Sequence, residues 1–141
     1  MPLELVPLCT ARVSLAPPIV LPGTPVGTRI IGEVTAVDVD GPRIKAHMKG
    51  AAAADWLILG PDGTLGTVDV RVTWETDDGA VIFAHDGGRL VLAPAPPVAY
   101  VTPRFDTGDE RYGWLARIQA VAKGTFSDDM SVLTYEMFEL R

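Results

Sequence analysis

Apolar and polar residues alternate in short runs along most of the chain. From Thr64 to Thr76, Val68, Val70, Val72 and Trp74 fall on one side, and Thr67, Asp69, Arg71, Thr73 and Glu75 on the other. That is the two-residue period of a strand with unlike faces. Asp-Gly, Gly-Gly and Pro-Gly signals break the runs roughly every 8 to 12 residues. The pattern predicts strands near Leu3–Leu15, Thr28–Val37, Arg43–Met48, Asp55–Leu59, Thr64–Glu75, Ala80–His85, Arg89–Leu92, Ala99–Phe105, Ile118–Thr125 and Val132–Leu140. Asp40-Gly41, Asp62-Gly63 and Asp78-Gly79 predict hairpin turns, with glycine supplying positive φ. Pro22, Pro25 and the run 94–97 mark irregular connections, because proline cannot serve a central ladder. Only Asp109–Leu115 suggests a helical turn, capped by Asp109. One domain, residues 1–141, built from sequential hairpins predicts an all-β fold: a single antiparallel up-and-down β-barrel or a closed, barrel-like sandwich, with at most one short helical turn.

Composition narrows the function classes. With 48% hydrophobic residues and frequent Gly and Pro, the chain is that of a folded, turn-rich protein. Its net charge of −6 and its lack of a Lys/Arg cluster argue against nucleic acid. Cys9 is the single cysteine, which excludes an internal disulfide and a Cys-based metal site. The N-terminus lacks the basic and apolar regions of a signal peptide, and no apolar run is long enough to span a membrane as a helix. The expected compartment is the cytoplasm, with no membrane partner.

The charged alternate faces carry the first candidate chemistry. Asp69 and Arg71 point the same way from one strand. The alternation alone favours a solvated outer face, where they would make a surface ion pair. A barrel can invert that, placing them in a polar lumen where Arg71 would hold a carbonyl, enolate or carboxylate. In that case Val68, Val70, Val72 and Trp74 would lie outside and supply the contact surface of a homodimer. Asp55 beside Trp56 is a carboxylate next to an apolar ring, suited to acid/base work if desolvated, or otherwise a turn cap or arginine partner. Arg104, Tyr112 and Trp114 offer donors and apolar walls for a pocket mouth, or packing at a barrel end. His47 and His85 are far apart and have no metal-ligand spacing, so no metal is expected. No Gly-x-Ser-x-Gly elbow and no phosphate-binding loop is present, and Cys9 lacks an evident base. No cofactor is expected.

The pieces Gly41-Pro42-Arg43, Ala54-Asp55-Trp56, Asp69-Val70-Arg71, Thr76-Asp77-Asp78-Gly79 and Pro103 to Leu115 occur together. In combination they resemble the domain-of-unknown-function 3237 family, over nearly the whole chain. The resemblance implies a small β-barrel, often oligomeric, with pocket residues inside these motifs: Asp55, Asp69 and Arg71 for catalysis, and Arg43, Trp56, Arg104, Tyr112 and Trp114 for substrate binding. The chain departs from the family pattern at Thr35-Ala36-Val37, at the Ala51–Ala54 run, and at Ala116, where an asparagine is usual. The leading expectation is a cofactor-free enzyme that moves protons (isomerisation, cyclisation or elimination) on a small apolar carbonyl or enol compound. A carrier of small hydrophobic ligands and a purely structural oligomer are the alternatives. They are separated by what fills the barrel: acids in a cavity, an apolar cavity, or packed side chains.

Overall fold

The computed structural model describes residues 1–141. Its strands are β1 (Leu5–Leu15), β2 (Ile19–Thr24), β3 (Gly27–Asp40), β4 (Lys45–Met48), β5 (Ala54–Leu59), β6 (Leu65–Thr76), β7 (Val81–Val91), β8 (Val98–Val101), β9 (Arg104–Asp106), β10 (Ala120–Phe126) and β11 (Val132–Leu140). Eight of them follow one another around a closed ring, β1-β3-β5-β6-β7-β8-β10-β11, and β11 returns to β1. Every pairing is antiparallel, so the expected up-and-down barrel is the observed fold. Closure leaves the ring itself no edge. β4 shares a station with β5 between β3 and β6, β9 shares one with β8 against β7, and β2 pairs with β3 alone.

Three elements differ from the sequence reading, each for a physical reason. β2 was expected to be an irregular connection because of Pro22, but an edge strand tolerates proline. The runs expected at Ala80–His85 and Arg89–Leu92 are one strand, β7, which continues through Gly87-Gly88. The run expected at Ala99–Phe105 is split at Thr102-Pro103 into β8 and β9. The turns at Gly63 (φ +73°) and Gly79 (φ +90°) need glycine for positive φ, as expected. Gly41 needs it for another reason. A Cβ there would lie 2.3 Å from the Leu8 carbonyl oxygen and 2.8 Å from Cys9 Cβ, so the glycine allows β1 to approach.

The alternation of β6 resolves in one direction. Val68, Val72 and Trp74 are buried in the barrel, while Asp69 and Arg71 lie on its outer wall. The valine and tryptophan side chains that would have supplied a homodimer surface are therefore core. One end of the barrel is closed by a 3₁₀ segment, Glu110–Arg117, capped by Asp109, whose side chain accepts from the Arg111 N–H. This segment inserts Leu115, only 1% exposed, into the core. Its Tyr112 hydroxyl donates to Asp78 Oδ1 (2.8 Å) in the β6–β7 turn, where the same oxygen accepts from Thr76. Hydrogen bonds to Thr76 and Tyr112, together with Arg111, hold the Asp78 carboxyl below its usual range. Tyr112→Phe should therefore lower stability modestly, read as a drop in thermal midpoint with the fold retained.

Candidate functional site

The interior of the barrel is not filled. A cavity of about 570 Å³ runs down its axis, within the range usual for small-molecule sites. Its walls are mostly apolar, including Leu57, Val70, Val72, Leu90 and Met137, and its mouth lies between Pro17-Pro18 and the β10–β11 turn at Phe126 and Met130. That turn is stapled by Asp129, whose carboxylate accepts from the Ser127 and Ser131 hydroxyls and from the Ser131 N–H. These bonds lower its pKa to about 2 and keep it ionised at the entrance.

Two carboxyl groups project into this apolar space. Asp55 on β5 is paired with Val70, and Val70 with Asp86 on β7, so the three side chains share the inner face on successive strands. Two strand spacings put the two backbones about 10 Å apart. Pairing of β5 with β6 lapses between Asp55↔Val70 and Ile58↔Thr67. In that gap, Asp55 Oδ1 accepts the Asp69 N–H at 3.0 Å. Burial raises the Asp55 pKa to about 6, against that hydrogen bond. Burial and the charge of Asp55 push Asp86 to about 7. Tyr135, on the opposite wall, is also raised, first by burial and then by the two aspartates. Its ring lies over Gly124, where an added Cβ would come within 2.7 Å of Tyr135 Cε1, so the glycine seats the phenol.

Hydrogen bonding marks the same space independently. Two buried side-chain polar atoms have no partner, Trp74 Nε1 and Asp86 Oδ1, and both residues line the cavity. A buried orphan donor or acceptor costs about 1–3 kcal/mol. At a pH between about 6 and 7 the pair can hold one proton, with Asp55 ionised and Asp86 neutral. The cavity then presents a carboxylate base, a carboxylic acid, an indole N–H and a phenol.

The residues singled out from sequence occupy three separate places. Asp55 is in the cavity, and its desolvation comes from the barrel walls, since Trp56 on the next position points outward. Asp69, Arg71, Trp56 and Arg104 are on the outer wall. There Asp69 Oδ1 meets His85 Nε2 at 2.8 Å, Arg71 lies 3.6 Å from Asp69 Oδ2, and the Arg71 guanidinium is 5.8 Å from the Trp56 ring centre. Tyr112, Trp114 and Arg43 are at the closed end, where Arg43 stacks on Trp114 at 4.0 Å and bonds Glu139 at 2.8 Å. Arg104, Tyr112 and Trp114 therefore form no common mouth. The sequence reading passed over Asp86, Tyr135 and the orphaned indole of Trp74. Cys9 is buried, and burial first, then Asp86 and Asp40, pushes its thiol up to about 12, as suits a packing residue.

The likenesses of the chain agree with this architecture. A β-barrel-like protein of Acinetobacter baumannii is 28% identical and superposes with a TM-score of 0.89, covering 100% of this chain and 98% of that one. A protein of unknown function from Clostridium acetobutylicum is 17% identical, with a TM-score of 0.89 over 99% of this chain and all of its own. A structure described as an enzyme from Penicillium herquei is 24% identical, with a TM-score of 0.76 over 100% of this chain and 96% of that one, a likeness of fold. No curated protein matches the chain. No helix is long and apolar enough to cross a membrane. The model of the family described as "Protein of unknown function (DUF3237)" matches residues 3–140, and the chain belongs to that family.

Proposed function

We propose that the barrel cavity binds a small, largely apolar molecule bearing a carbonyl or enol group and moves a proton on it, without a cofactor. The observation that carries this reading is the coincidence of three polar groups, Asp55, Asp86 and Trp74, in one space. Two carboxyls of raised pKa and the two orphaned buried polar atoms all belong to an otherwise apolar cavity. Asp55 is the base that takes a proton from carbon or oxygen. Neutral Asp86 donates to the developing oxyanion, and Trp74 Nε1 offers a second donor in the same cavity. Low-dielectric walls strengthen such bonds and favour an uncharged substrate. Isomerisation and cyclisation reduce to this pair of proton movements, and in an elimination neutral Asp86 protonates the departing group as Asp55 takes the carbon-bound proton.

A carrier reading draws on the apolar walls, and the two part at the chemistry. Under either reading, uncharged benzo-fused ketones such as 1-tetralone, 4-chromanone and flavanone should bind saturably and shift the Trp74 indole N–H resonance. Val72→Trp, which fills the cavity from its wall, should abolish that shift. Absence of any saturable shift across the three ketones would remove the cavity as a binding site. A carrier would bind them and leave their carbon-bound protons unexchanged.

A further inference from the structure

The outer wall carries a second polar arrangement that the cavity does not use. Arg71, His85 and Arg104 occupy directly paired positions on β6, β7 and β9 and so stand in one row across the sheet. Compensation within the row is partial. Asp69 is bonded to His85 Nε2 at 2.8 Å and lies 3.6 Å from Arg71, while the Arg104 guanidinium makes no hydrogen bond or ion pair with the protein. Asp106, two residues along the same face of β9, sits opposite Phe83 and forms no ion pair with Arg104. The two guanidiniums of this row stand on a chain whose net charge is −6.

Beside the row is a hollow of about 340 Å³ lined by His85, Gly87, Thr102, Arg104 and Gln119. Gly87 makes the hollow by lacking a side chain. An added Cβ would meet only the Val68 carbonyl oxygen, at 3.9 Å, and no positive φ requires glycine there. Gln119 closes the far side. Its Nε2 donates to the Ala120 carbonyl at 2.9 Å and, at 3.4 Å, to that of Pro103, which leaves Oε1 as an acceptor. Thr102 Oγ1 adds lone pairs, since its only protein contact is a 3.4 Å bond to the Gly87 carbonyl. The hollow thus has guanidinium donors on one side and neutral acceptors on the other.

We infer that this hollow is a binding site for a small hydroxy-carboxylate, separate from the cavity. Arg104, the guanidinium that lines the hollow, takes the carboxylate, because a guanidinium meets a carboxylate with two parallel hydrogen bonds. The ligand's hydroxyl donates to Gln119 Oε1. The site does not depend on the cavity reading, since its residues face the other side of the barrel wall.

An NMR titration of the ¹⁵N-labelled full chain at constant ionic strength tests this with sodium lactate, sodium acetate and inorganic phosphate. Lactate should shift the Gly87 and Thr102 amides saturably and bind about fivefold or more tighter than acetate, which lacks the hydroxyl. Arg104→Met should weaken lactate binding roughly tenfold or more. Gly87→Val, which suits a strand and fills the hollow, should block it with the spectrum otherwise preserved. Tetralone shifts at Trp74 should be the same in both variants, so failure of one site is distinguishable from failure of the other. Non-saturating shifts, equal affinity for lactate and acetate, preference for phosphate, or unchanged binding by both variants would each overturn the assignment.

Discussion

Asp86→Asn is expected to make the protein more stable at pH 8 while removing its proton-transfer activity. Asp86 is only 5% exposed, and its pKa is raised from 3.8 to about 7. A carboxyl whose pKa is higher folded than unfolded keeps its proton in the native state, so its favourable contribution is complete below about pH 4. It declines as pH rises through the native pKa near 7. A difference of about three pKa units corresponds to roughly 4 kcal/mol lost by pH 8. Asparagine avoids the charge but still leaves a polar oxygen in apolar surroundings, so the expected net gain at pH 8 is about 2–3 kcal/mol. No gain is expected at pH 4. Asp55, raised to about 6, acts in the same sense over a lower window. The carboxylates with lowered pKa, such as Asp109 and Asp129 near 2, have the opposite sign, and their contribution is complete above about pH 4. Wild-type stability should therefore rise with pH up to about 4 and fall between about 4 and 7. Denaturant midpoints across that range check the sign. Loss of general-acid catalysis should cost 10²–10⁴-fold in rate, roughly the usual worth of such a group. A residue whose removal stabilises the fold and abolishes the chemistry is kept for the chemistry.

Gly88→Ala should be the most damaging single-methyl change in the barrel wall. A Cβ at Gly88 would fall 1.9 Å from the Tyr100 carbonyl oxygen and 2.9 Å from Val101 Cα. Both are backbone atoms of β8, which pairs with β7 from Gly88↔Val101 to Val91↔Val98. No rotamer change relieves such a contact, so the two strands must separate at a seam of the closed ring. A loss of at least about 3–5 kcal/mol is expected. For a chain of this size that lowers the thermal midpoint by roughly 10 °C or more. The adjacent Gly87→Ala is the control. Its Cβ meets nothing closer than 3.9 Å, so it should be neutral or stabilising by up to about 1 kcal/mol.

These two glycines also explain what the sequence concealed. The alternation and the Asp62-Gly63 and Asp78-Gly79 turns made the barrel legible, because each is a local rule that the closed sheet obeys. In the sequence, Asp86-Gly87-Gly88 reads as a break between strands. It is the middle of β7, where one glycine opens an outer hollow and the next admits the β8 backbone. Splitting β7 hid the phase Ile82, Ala84, Asp86, Gly88, Leu90, in which Asp86 stands in an inward-facing series. That series was the signal that could have found it. Asp55 stands out in the sequence as a carboxylate beside an apolar ring; burial raises its pKa to about 6, but the desolvating surface is the lumen and not Trp56. For Asp69 and Arg71 the alternation favours an outer face, and the closed ring places them there. A two-residue period says which side chains share a side, and only closure of the ring says which side is inside. The family resemblance implies pocket roles for Arg43, Tyr112 and Trp114, but they fasten the closed end through Glu139 and Asp78.

The most direct test of the cavity as a site of proton chemistry is deuterium exchange at the α-carbon of 1-tetralone. In D₂O near pD 7, loss of the α-proton signal can be followed by ¹H NMR with catalytic amounts of protein. The wild-type chain should accelerate exchange saturably. Asp55→Asn and Asp86→Asn should each bind the ketone and return exchange to the buffer rate, and Arg104→Met should exchange like wild type. Saturable binding with exchange no faster than in buffer, or equal exchange by wild type and both aspartate variants, would contradict the assignment of Asp55 and Asp86 as base and acid.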